Sequence, residues 1–327
     1  MITRRELIIA FGVCTLAAPL RAFGQQQGNI PRIGLLWINT ESTSHYVAAF
    51  REGLHAQGYI EGKNIRIYDR SLVDRYELVP EAAGRLVSQK IDVIVCYGAT
   101  ATQTASKATS TIPIVMILGG DPVKLGVVAS LSRPGGNITG TSAMTEELNG
   151  KRLQILKEIV PRIRRLAVIL YPGSTAEVTA LREYKATARA LDLEVLPVEV
   201  RAPSDIGPAI AGIASMDVQA IAVVGSTLLV ANSERIVAAV EKIRLPAMYP
   251  NTEYPHAGGL LSYAQNTSDR FRRTATYVDK ILKGAKPGDI PIEQPTVIEL
   301  VINMKTAKTL GIKIPNSIMV QATKVIE

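Results

Sequence analysis

Short runs of β-branched and apolar residues, each followed by a segment of helical periodicity, recur along almost the whole of this 327-residue chain. A run that is apolar throughout and bounded by helical stretches reads as a strand covered on both faces, and repeated alternation builds parallel sheets layered with helices. The spacing predicts strands at Arg32–Ile38, Asn64–Tyr68, Asp92–Cys96 and Ile112–Leu118, with helices at Ser44–Gln57, Glu77–Gln89 and Thr100–Thr109 between them. This first array ends near Ile138–Ser142, and a second begins with a helix at Glu146–Ile159. Strands at Leu166–Tyr171, Leu193–Val198, Ala220–Val224 and Leu260–Tyr263 follow, with helices at Glu177–Leu191, Ser204–Ala214 and Ser233–Ile243. Two successive arrays imply two similar α/β lobes, each a doubly wound parallel sheet, as expected of a chain too long for one core. No Gly-, Pro- or Ser-rich tether separates them, so chain crossings should join them, one near Ser142–Thr145.

The first residues do not fit this pattern. Arg4 and Arg5 precede an apolar run from Leu7 to Ala18, and Ala22-Phe23-Gly24 places small residues where a signal peptidase cuts. The run is shorter than the roughly 20 residues a membrane-spanning helix needs. Residues 1–24 therefore read as an export signal, cleaved near Gly24, and the paired arginines with Arg21 favour a twin-arginine address over the ordinary secretory one. Cys14 follows the bulky Val13, which does not suit a lipid anchor.

Without Arg4, Arg5, Arg21 and Glu6, 34 of the 37 basic and 28 of the 29 acidic side chains remain, a net charge of +6. The excess is spread along the chain with no basic block interleaved with aromatics, so nucleic acid is not an expected partner. Cys96, the one cysteine beyond the leader, sits in an apolar run and reads as a small buried hydrophobe. His45, His55 and His256 lie beside no plausible nucleophile or metal partner, and no Gly-x-Gly-x-x-Gly fingerprint or P-loop is present. Neither an enzyme nor a cofactor is expected.

Open α/β sheets bind ligands at the carboxyl ends of their strands. Tyr97-Gly98-Ala99-Thr100 follows one predicted strand: Gly98 permits close backbone approach, and a helix start at Thr100 would favour a carboxylate. Thr100 could equally be only an N-cap. Gly120-Asp121-Pro122 follows the next strand, where Asp121 could meet an ammonium group or simply cap a turn.

These positions lie within a broader resemblance. Tyr59-Ile60-Glu61-Gly62-Lys63-Asn64-Ile65, Gly120-Asp121-Pro122-Val123, Arg133-Pro134-Gly135-Gly136-Asn137, Gly150-Lys151-Arg152-Leu153, Tyr277-Val278-Asp279-Lys280 and Glu293-Gln294-Pro295-Thr296 together resemble the substrate-binding proteins of ABC transporters. The likeness extends from Arg32 to Glu327 and is to the branch with aromatic-amino-acid-binding members.

The resemblance implies a type I periplasmic-binding-protein fold, with a small-molecule ligand held in a cleft between hinged lobes and delivered to a permease with an associated ATPase. It places residues 32–142 and about 264–290 in one lobe and residues 143–263 and about 291–327 in the other, and it implies a periplasmic location. On that fold Thr40, Ser42, Tyr97, Gly98, Ala99, Thr100, Gly120, Asp121 and Ser142 would line the first wall. Tyr171, Ser174, Ser226 and Thr227 would line the second, with Tyr249 and Glu253 completing the cleft. The three tyrosines could stack on a planar ligand or merely fill the hinge. Many relatives carry an acidic residue and proline where this chain reads Gly225-Ser226-Thr227, so Asp121 or Glu253 must meet any ligand ammonium, or the ligand is an acid without one. A ligand sensor docking on a membrane receptor would have the same sequence features.

Overall fold

The apolar runs form two sheets. In the computed structural model, which describes residues 30–37, 43–72, 76–173 and 175–327, the first sheet is wholly parallel in the order β2-β1-β3-β4-β5. Its strands are β1 (Arg32–Trp37), β2 (Arg66–Ser71), β3 (Val93–Tyr97), β4 (Ile114–Leu118) and β5 (Ile138–Ser142). Every residue of β3, β4 and β5 is buried, as the apolar runs require of strands covered on both faces. Helices α1 (Ser44–Ala56), α2 (Val79–Ser88) and α3 (Ala99–Ala108) connect them. Residues 1–24, expected from the sequence to be an export signal, and the expected site residues Thr40, Ser42 and Ser174 lie outside the described residues.

The second sheet has the order β12-β11-β10-β9-β8-β6-β7. It comprises β6 (Arg165–Leu170), β7 (Glu194–Glu199), β8 (Ala220–Val223), β9 (Ala247–Tyr249), β10 (Leu261–Gln265), β11 (Ile298–Asn303) and β12 (Lys324–Ile326). Its helices are α4 (Thr145–Ile159), α5 (Thr175–Ala190), α6 (Ile206–Ile213), α7 (Thr227–Ala231), α8 (Ser233–Ile243) and α9 (Glu253–His256). After α10 (Thr267–Leu282) come α11 (Met304–Thr309) and α12 (Asn316–Met319). The sheet is not parallel throughout: β11 runs antiparallel to β10.

That reversal follows from the path of the chain. It leaves the first sheet after β5, returns from β10 to lay α10 against α1, β4 and β5, and comes back to the second sheet as β11. The seam between α1 and α10 is tight: a Cβ on Gly53 would overlap the carbonyl oxygen of Arg272, so only glycine fits. Tyr46 of α1 stacks on Phe271 of α10 with ring centroids 5.0 Å apart, and Trp37 and Tyr97 pack around them.

Local polar chemistry shifts several predicted boundaries. The second strand starts at Arg66 rather than Asn64, because Asn64 closes the preceding turn, its Oδ1 accepting from the Ile60 N–H and its Nδ2 donating to the Gly58 carbonyl. Asp205 accepts from the N–H groups of Arg201 and Ala202, holding Pro203–Asp205 as a 3-10 turn and delaying α6 to Ile206. Helix α3 begins at Ala99 with Gly98 as its cap, so Thr100 is not the N-cap. Cys96 is a buried core residue, and burial pushes its thiol upward, away from thiolate chemistry.

One buried side chain ties the crossings together. The Arg152 guanidinium of α4 donates to the carbonyls of Tyr263 (2.9 Å) and Pro250 (3.2 Å) and to Asn149 Oδ1 (2.9 Å). These bonds join α4 to the residue after β9 and to the middle of β10, the segments next to the passage between sheets.

Candidate functional site

The strand orders fix where a crevice must lie. Each sheet reverses direction of winding once, beside β1 and β3 in the first and beside β6 and β8 in the second, and the loops after those strands diverge to leave a crevice. After β3 the chain turns through Gly98, whose φ of 88° suits glycine, into the first turn of α3. After β8 it turns through Gly225 into α7, where Ser226 caps the helix by accepting from the Leu229 N–H at 3.1 Å. The two turns meet. A Cβ on Gly98 would overlap Thr227 Cγ2, so the walls are in contact and glycine is required there.

Between them lies a cavity of about 70 Å³. Its lining contains two oppositely charged side chains, both more than nine-tenths buried, that are not paired with each other. Arg270 of α10 is 4 % exposed and donates from Nη2 to the carbonyls of Leu118 and Thr141, while its Nε has no partner. Burial lowers its pKa to about 10, an effect opposed by the nearby Tyr97 and Tyr46, and it stays cationic at neutral pH. Glu177 in the first turn of α5 is 7 % exposed, and its Oε2 has no partner. Burial pushes its carboxyl up to about 7, opposed only by a hydrogen bond to its own backbone. Gln265 adds an unpartnered Oε1 to the same lining, and its Nε2 donates to the Pro295 carbonyl at 2.7 Å.

Of the residues expected from sequence, the cavity brings together Tyr97, Gly98, Ala99, Gly120, Ser226 and Thr227. Tyr97 belongs to the aromatic cluster with Trp37, Tyr46 and Phe271 and turns one edge to the cavity. Thr100, one residue into α3, is not in the lining. Asp121 is also absent from it; its Oδ1 accepts from the N–H of Val123 (2.8 Å) and Lys124 (3.3 Å), the turn-capping alternative. Ser142 is buried one residue away, donating to the Gly120 carbonyl at 2.8 Å. Tyr171 folds back over Gly173. Tyr249 stacks on Tyr254 at 4.6 Å inside the second lobe, where tyrosine acts as filling. Glu253 lies behind the crossing segments, beside His45 at 3.4 Å, in a different cavity.

Sequence reasoning missed Glu177, Arg270 and Gln265. A signal existed for the first, an acidic residue opening a helix just after a predicted strand. Arg270 was marked only by being charged on the face of α10 that also carries Phe271, Thr274 and Val278.

The family model of ABC transporter substrate binding proteins matches residues 35–326. The chain belongs to this family. Among its relatives, a tyrosine-binding protein of Clostridioides difficile (strain R20291) is 26 % identical over 267 residues, covering 81 % of this chain and 76 % of that one. A crystal structure of an ABC domain from Streptococcus pneumonia in complex with L-Trp superposes with a TM-score of 0.83 at 26 % identity, covering 91 % of this chain and all of that one. A conserved domain protein from Vibrio cholerae superposes with a TM-score of 0.85 at 26 % identity over the same shares. The architecture is that of type I periplasmic binding proteins, two α/β lobes about a cleft. This substrate-binding protein thus belongs to a family of solute binders rather than enzymes, and among the described residues no helix is long and apolar enough to cross a membrane.

Proposed function

We propose that this protein captures an α-amino acid between its lobes and hands it to the permease of an ABC importer. The observation that carries the reading is the pair of buried, unpaired charges in one cavity. Burying a lone charge is expensive, and a group held that way in a ligand cleft is matched when its counter-charge arrives. Arg270 Nε, together with the free N–H groups of the first turn of α3, would take the carboxylate. Glu177 Oε2 would take the ammonium, supplying the carboxylate that Gly225-Ser226-Thr227 does not. The tyrosine-binding relative and the L-Trp complex support an aromatic amino acid. The cavity of about 70 Å³ admits only the head group of such a ligand, so Gly98 and Thr227 must part for an aromatic side chain to enter.

Within this reading residues 1–24 direct export, and the mature protein works in the periplasm. Lobe 1 comprises residues 32–142 with about 264–290, and lobe 2 the remainder. The test is a thermal-shift comparison of L-tryptophan and L-tyrosine with the same acids lacking the amine. A rise in melting temperature with the amino acids alone, abolished in Arg270→Gln, is expected. Equal rises with the amine-free acids would sink the Glu177 assignment.

A further inference from the structure

Two segments that line the cleft from opposite lobes meet again beyond it. In the first lobe the chain leaves the lining at Gly120 and enters a turn over residues 121–127. Backbone bonds close this turn, from the Leu125 N–H to the Asp121 carbonyl (3.0 Å), from Gly126 to Val123 (2.9 Å) and from Val127 to Pro122 (3.2 Å). In the second lobe Ala176 of α5 lines the cleft, and Glu183, seven residues or two turns further on, shares its helix face. The Lys124 ammonium of the turn lies 3.8 Å from Glu183 Oε1, and neither residue is part of the cleft lining.

Both partners are held in place. Asp121 Oδ1 accepts from the Lys124 N–H at 3.3 Å, which fixes the backbone that presents the ammonium. Glu183 Oε2 accepts from Asn149 Nδ2 of α4 at 3.3 Å. Asn149 is buried, and its Oδ1 accepts from Arg152 Nη1 at 2.9 Å. Arg152 in turn donates to the carbonyls of Tyr263 in β10 and of Pro250, which lines the cleft. A continuous line of polar contacts therefore runs from the turn of the first lobe, across to α5 of the second, and on to the segments next to the passage between sheets.

An ion pair between the lobes lasts only while they are together, so it favours the closed form and gives nothing to the open one. The Lys124 side chain is 58 % exposed and that of Glu183 27 %, which puts the pair within reach of salt and sets its strength at that of a partly exposed bridge. Separation of the lobes must break it before a ligand leaves, so its effect falls on release rather than on encounter.

We propose that Lys124 and Glu183 form a closing latch, a pair of positioning residues that touch no ligand and prolong its stay by holding the lobes together. The proposal rests on the reading of the cleft as an amino-acid site. Its test is the dissociation rate of L-tryptophan from wild type, Lys124→Gln, Glu183→Gln and the double variant, with circular dichroism melts verifying folding. Glutamine at position 183 keeps an oxygen for Asn149, so the line to Arg152 stays intact. Each single variant should release the ligand roughly two- to fivefold faster with association unchanged, and the double variant should be no faster than the singles, because all three lose the same pair. Raising sodium chloride from about 20 to about 500 mM should speed release from wild type and leave the double variant unchanged. Equal release from wild type and the variants would overturn the proposal, as would additive effects in the double variant. Lys124→Glu, which sets two carboxylates against each other, should enlarge the radius of gyration of the ligand-free protein in small-angle scattering. Should L-tryptophan fail to bind wild type, the cleft reading falls and this comparison judges the latch alone: a larger radius supports it and an equal one overturns it.

Discussion

Lowering the pH from 8 to 6 should weaken amino-acid binding about tenfold, because Glu177 titrates between those values. Its carboxyl, raised to about 7 by burial, would be about nine-tenths ionised at pH 8 and about one-tenth ionised at pH 6. A ligand ammonium pairs with the ionised form, so the apparent Kd follows that fraction. Arg270, at about 10, keeps its charge over this range, and so does the ligand ammonium. Titration of L-tryptophan at pH 6, 7 and 8, in two buffers of different ionisation enthalpy, reads both the Kd and about half a proton released per ligand at pH 7. Glu177→Gln should flatten the profile and bind weakly throughout. The same group acts on stability with a definite sign. Its folded pKa lies above its unfolded one, so its contribution is fully present below about pH 4.5 and lost as pH rises through about 7, a change of about 3 kcal/mol. Glu177→Gln should therefore melt higher than wild type at pH 8 without ligand. An unchanged Kd between pH 6 and 8, or full affinity in the glutamine variant, would refute the reasoning.

Two further outcomes test how the lobes meet. Gly98→Ala puts a methyl group into Thr227 at a φ of 88°, so the closed form should lose about 1–3 kcal/mol; small-angle scattering should show a more open protein, and Thr227→Ser should restore part of the affinity. Arg152→Leu leaves the carbonyls of Tyr263 and Pro250 without their donor, and thermal unfolding should show a loss of about 2–4 kcal/mol; a melting temperature equal to that of wild type would remove Arg152 from the account of the hinge.

Periodicity predicted β1–β4, β6–β8, β10 and most helices, because burial on both faces demands apolar runs and a run such as Val93–Cys96 can satisfy that demand in few other ways, whereas β9, β11, β12 and α10 were not predicted. The turns after β3 and β8 were legible for a related reason: strand ends in open sheets are where ligands approach, and Gly98 and Ser226 carry the residue types such turns need. Asp121, Tyr249 and Glu253 look equally suitable in sequence, but which way each side chain faces depends on partners far away in the chain. Asp121 is drawn to its own turn, Tyr249 to Tyr254, and Glu253 to the far side of the crossing segments. Glu177 and Arg270 stand 93 residues apart and become one site only when α10 returns to the first sheet and the lobes close. Sequence determined most of the strands, the alternation of strand and helix along the chain and the loops that border the crevice, since these follow from local pattern. The burial of two opposite charges in the crevice was decided by tertiary structure, because desolvation acts on a side chain only after distant elements have enclosed it.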